Sequence, residues 1–81
     1  MTDALPGAPY GPVVKRSVTI AGHPTSISLE QPFWEALQQA ATRSGRPLSE
    51  LVAAIDKARG EANLSSAIRL YVLADLRTRA T

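Results

Sequence analysis

The chain has 81 residues, and 13 of its 36 apolar side chains are alanine, so it can build one small domain with a modest core. It holds no cysteine and a single histidine, which excludes a disulfide framework and a zinc site of the usual ligand set. Nine basic against seven acidic residues leave +2, too small a bias to identify a nucleic-acid partner by itself. No apolar run approaches the roughly 20 residues of a membrane span, and the start of the chain lacks the charged-then-apolar layout of a signal peptide. The expectation is a cytoplasmic protein with no cofactor, no metal and no membrane partner. Of the usual supplements to a small core, oligomerisation is the one left.

Residues 1–12 read as a flexible arm, because Leu5–Pro12 holds five Pro or Gly in eight positions. Residues 13–78 then form the folded domain. From Val13 to Ile20 the chain is β-branched and alternates: Arg16, Val18 and Ile20 share one side, while Lys15, Ser17 and Thr19 share the other. Ala21, Gly22, His23 and Pro24 supply turn residues. A second run, Thr25–Leu29, turns Ile27 and Leu29 inward and Ser26 and Ser28 outward. Together these predict two short strands, arranged as a hairpin or paired in some other way.

Pro32 suits the first turn of a helix over about 31–44, and Gly45 suits its C′ stop. Leu48, Leu51, Val52 and Ile55 recur at helical spacing and predict a second helix over 48–59, closed by Gly60. Asn63 is a good N-cap for a third helix from Leu64 to about Arg77. Leu64, Ala67, Ile68, Tyr71, Val72 and Leu76 give that helix an apolar stripe. Leu70, Leu73 and Ala74 widen the stripe past one face, which calls for burial on more than one side. In a chain this small, the simplest second partner is another copy.

Catalytic signatures are missing. His23 stands in a turn with no carboxylate near it in sequence, the acids are scattered, and the glycines sit at element ends rather than in a phosphate loop. No enzymatic activity is expected. Trp34 and Phe33 diverge by about 100° on a helix, so one belongs to the core and the other covers a neighbour. An ordinary helix-turn-helix would use Ala41, Gly45 and Leu51 and present Ser49, Glu50, Ala53, Ala54 and Lys57. That face is acidic and alanine-rich, and the scheme leaves both strands without a role.

The stretch Thr25-Ser-Ile-Ser-Leu-Glu-Gln-Pro-Phe-Trp-Glu-Ala-Leu37, followed by Asn63-Leu-Ser-Ser-Ala-Ile-Arg-Leu-Tyr-Val-Leu73, resembles the ribbon-helix-helix family of bacterial DNA-binding proteins, the group of the Arc and methionine repressors. The likeness spans about residues 14–77 and is greatest to a small bacterial branch of that family. It implies a mostly α protein with a short β ribbon, forming an intertwined homodimer whose ribbon enters the major groove of double-stranded DNA. Two departures stand out: an additional helix, 48–59, between the first and last, and Pro24 where a basic residue would be expected.

Carried onto this sequence, the likeness assigns DNA contact to Lys15, Arg16, Ser17, Thr19, Ser26 and Ser28 of the ribbon. It adds Asn63, Ser65 and Ser66 at the start of the last helix, where unpaired N–H groups meet a positive dipole end. Ile27, Leu29, Leu37, Ile68, Tyr71 and Val72 are assigned to the dimer core. The expected function is sequence-specific DNA binding in transcription regulation. The rival is a dimeric, antitoxin-like adaptor that contacts proteins and no DNA.

Overall fold

The computed structural model describes residues 5–80, so the first four positions of the expected arm lie outside the described residues. Residues 5–12 are exposed and belong to no strand or helix. The elements follow in the order β1 (Val13–Ile20), β2 (His23–Glu30), α1 (Gln31–Arg43), α2 (Leu48–Ala58) and α3 (Leu64–Ala80).

β1 and β2 pair antiparallel within one chain, so the two-stranded ribbon needs no second copy. The loop is Ala21-Gly22 alone; His23 and Pro24, expected in the turn, are the first residues of β2. Both loop residues have positive φ, 51° and 82°. That is the type I′ geometry whose twist matches the flanking strands, and Gly22 adopts it freely while Ala21 adopts it under strain. The turn bonds Ile20 to His23, so the bonded pairs recur at Val18–Thr25, Arg16–Ile27 and Val14–Leu29. Thr19–Pro24, Ser17–Ser26 and Lys15–Ser28 aim their backbone groups at the free edges instead. Pro24, which has no N–H, falls where the hairpin ladder asks for none.

Each helix end has a local cause. Pro32 occupies the first turn of α1. At the other end Gly45, with φ 67°, lets its N–H reach Thr42 O and the Arg46 N–H reach Ala41 O, each at 3.1 Å, which closes the helix. At α3 the Asn63 Oδ1 accepts the Ser66 N–H at 2.8 Å, the predicted cap. α3 runs three residues beyond the expected end.

The core lies between the inward face of the hairpin and the three helices. Ile27 and Leu29 meet Trp34 and Leu37 of α1, Leu51, Val52 and Ile55 of α2, and Ala67, Ile68 and Val72 of α3. The additional helix α2 therefore contributes to the core. Ile27, Leu29, Leu37, Ile68 and Val72 were assigned to the dimer core; here they are buried inside a single chain, and Tyr71 is half-buried beside them. What stays uncovered on α3 is Leu70, Leu73 and Leu76.

Candidate nucleic-acid interface

Strand alternation sorts the ribbon into two faces. Val14, Arg16, Val18 and Ile20 of β1 lie opposite Leu29, Ile27, Thr25 and His23 of β2 on the inward face. On the outward face Lys15 stands across from Ser28, Ser17 from Ser26 and Thr19 from Pro24. Five of the six nominated ribbon residues are thus brought onto one surface, and all but half-buried Ser28 are exposed. Lys15 is the cation of this surface; the rest offer hydroxyls, which can donate or accept.

Arg16 is the exception. Its guanidinium lies on the inward side, 5.7 Å from the centroid of the Trp34 ring, and donates to Gln31 Oε1 at 3.0 Å. Trp34 is itself fixed: its ring is buried and its Nε1–H donates to Val14 O at 2.9 Å. Phe33, the other aromatic, is half-buried under the Arg69 guanidinium. The structure therefore separates Arg16 from Lys15, its neighbour in sequence, and ties it to the start of α1.

The other nominated group, Asn63, Ser65 and Ser66, sits at the first turn of α3. Asn63 is occupied as a cap, and both serines are half-buried. α3 is tied to the ribbon through Arg69, whose Nε and Nη2 both reach Glu30 Oε1 at 3.0 Å. Six residues separate Asn63 from Arg69, roughly 9 Å along the axis. The carboxyl of Glu30 is held below the usual carboxylate range, first by a backbone amide hydrogen bond of its own residue and then by Arg69. No described helix is long and apolar enough to cross a membrane.

A hairpin with an apolar inward face, a polar outward face and a helix starting directly from its second strand recurs in known proteins. The family model described as "Ribbon-helix-helix domain" matches residues 13–76, from the first residue of β1 almost to the end of α3. The chain belongs to the ribbon-helix-helix family. Ribbon-helix-helix domains typically dimerise and bind DNA, in transcription regulators or antitoxins. Among solved structures the chain is similar to an uncharacterized protein from Bordetella pertussis Tohama I, with 34% identity and a TM-score of 0.71. That likeness covers 84% of this chain and 58% of the other, so this ribbon-helix-helix chain spans under three fifths of its relative's length. No curated protein matches the chain.

Sequence reasoning placed the outward residues correctly because strand parity is a period-2 signal that needs no tertiary information. It did not foresee which side of α3 would be left open. The only signal was that α3 is apolar on more than one face.

Proposed function

We propose that the chain is a sequence-specific DNA-binding protein acting in transcription regulation in the cytoplasm, as a homodimer whose ribbon enters the major groove. The observation that carries this reading is the outward ribbon face, where Lys15, Ser17, Thr19, Ser26 and Ser28 stand free while every large apolar ribbon residue except Val13 is turned inward or packed on the core. Hydroxyls suit base edges but discriminate weakly among bases; a lysine suits phosphate. The first turn of α3, with Asn63, Ser65 and Ser66, is a second, phosphate-directed contact through the amides that precede Ser66, whose own N–H is taken by the Asn63 cap.

The free edge of β2 supports pairing with its counterpart. Centred on Ile27, an antiparallel β2–β2 contact sets Ser26 opposite Ser28 of the second copy, and both carry edge-facing backbone groups. The ribbon is then four strands wide. At about 4.8 Å per strand the outer strands lie roughly 14 Å apart, against a major groove about 12 Å wide. The central serines then face the bases, and each Lys15 lies over a groove wall, beside phosphate.

Titration of duplex DNA at low salt and again at about 0.2 M tests the reading, since phosphate contacts lose affinity as salt rises. Absence of binding at low salt by a protein shown to be dimeric would overturn it. One observation favours the adaptor reading: the outward face carries a single cation, with Arg16 turned to the other side.

A further inference from the structure

A pocket of about 380 Å³ opens between Arg16 of β1, one face of α1 and Leu48 at the start of α2. The α1 face is continuous because Gln31, Trp34, Glu35, Gln38 and Gln39 stand at i, i+3, i+4, i+7 and i+8. Trp34 is buried and pinned through its Nε1–H to Val14 O, and the Arg16 guanidinium rests over its ring.

The pocket holds one cation and one anion, Arg16 and Glu35, and among the described residues neither enters an ion pair. Both reach the same neutral group instead. Arg16 Nη2 donates to Gln31 Oε1 at 3.0 Å, and Gln31 Nε2 donates to Glu35 Oε2 at 3.3 Å. The oxygen and nitrogen of an amide are about 2.3 Å apart, so the two charged groups face each other beyond ion-pair reach but within about 8.6 Å.

We infer that this pocket binds a free α-amino acid, its carboxylate on Arg16 and its ammonium on Glu35, in place of the Gln31 amide. An α-amino acid carries its charges about 3 Å apart, and a hydrogen bond of about 2.8 Å at each end lets it span the gap. Both new bonds join ion to ion, and such bonds are stronger than those to the neutral amide they displace. Ligands of a single charge are selected against. A plain carboxylate on Arg16 would face Glu35, and a plain amine on Glu35 would face Arg16. The rest of the lining, Gln38, Gln39, Leu48 and Trp34, carries no charge, so the side chain of the ligand is uncharged. The inference goes beyond the DNA-binding reading and does not depend on it. Arg16 lies on the inward side of the ribbon and Lys15 on the outward side, so ligand and duplex would occupy different faces.

Trp34 is the one tryptophan of the chain, so its fluorescence reports on the pocket wall. Titration of the full chain with L-glutamine, L-leucine and the other uncharged, non-aromatic L-amino acids tests the inference. At least one is expected to give a saturable change with a millimolar or lower dissociation constant. The matching amine and the matching acid, each lacking the other charged group, are expected to bind at least roughly tenfold more weakly. Glu35→Gln, at an exposed position, is expected to weaken binding roughly tenfold or more, with an unchanged circular dichroism spectrum. Gln31→Ala removes the amide that competes for both charges and is expected to tighten binding, a readout that survives if Glu35→Gln fails to fold. Absence of a saturable change with any of these amino acids up to about 10 mM overturns the site. Binding that the amine or the acid matches, or that Glu35→Gln leaves untouched, overturns the two-ended recognition.

Discussion

The two faces of the ribbon share one backbone and one residue rhythm, yet they do opposite work. Inward, Val14, Val18, Ile20, Ile27 and Leu29 give up water to pack on three helices. Outward, Lys15, Ser17, Thr19, Ser26 and Ser28 contribute almost nothing to the core. A residue on the first face is kept by stability, and one on the second is free to be chosen by a partner. In an α-helix of this size the two roles would be separated by arc; in a two-stranded ribbon they alternate residue by residue.

The sharpest way to break the contrast is from inside. Leu29→Ala removes a fully buried side chain and is expected to cost about 2–5 kcal/mol, measured by urea denaturation. A loss under 1 kcal/mol would show that the inward face does not anchor the helices. The turn offers a smaller gain. Ala21→Asn relieves the left-handed strain at φ 51° and is expected to stabilise by roughly 0.5–1 kcal/mol, seen as a higher urea midpoint. No gain would mean that Ala21 does not hold that conformation in solution.

Changes on the outward face should leave stability within about 0.5 kcal/mol and act on binding instead. Lys15→Ala is expected to weaken DNA binding across all sequences and to lower the salt slope by about one. If Ser26→Ala lowers stability as Leu29→Ala does, the division between faces fails.

The smallest effect concerns pH. Glu30 has its pKa lowered in the folded chain from the ordinary 4.5. A depressed carboxylate stabilises above its unfolded pKa, and that contribution fades as pH falls through and below about 4.5. The melting temperature of Glu30→Gln should therefore fall less steeply than wild type between pH 5 and pH 3. Parallel curves would remove Glu30 and its Arg69 pair from the junction of ribbon and helix.

Much of this was legible in the chain itself. Alternation within residues 15–20 and 26–29 assigned those residues their faces, because a period of two is local. Pro32, Gly45 and Asn63 marked helix ends through φ constraints and a cap that reach no further than four residues. Val13–Glu30 pairing was less legible: four turn-forming types in a row, Ala21 to Pro24, concealed that only two close the loop. The position of Pro24 became intelligible only once the register put it opposite Thr19 with its nitrogen facing an open edge.

Sequence alone determined the elements, their order and the polarity of the ribbon, since each depends on residues near one another along the chain. Tertiary structure decided the rest. The apolar excess of α3 required a second cover, but composition could not say which side the chain would cover first. Ile68 and Val72 are buried in the core shared by the hairpin and the helices, while Leu70, Leu73 and Leu76 are left outside. Alternation already set Arg16 on the side away from Lys15, but only the packed chain brings Trp34 of α1 within 5.7 Å of its guanidinium.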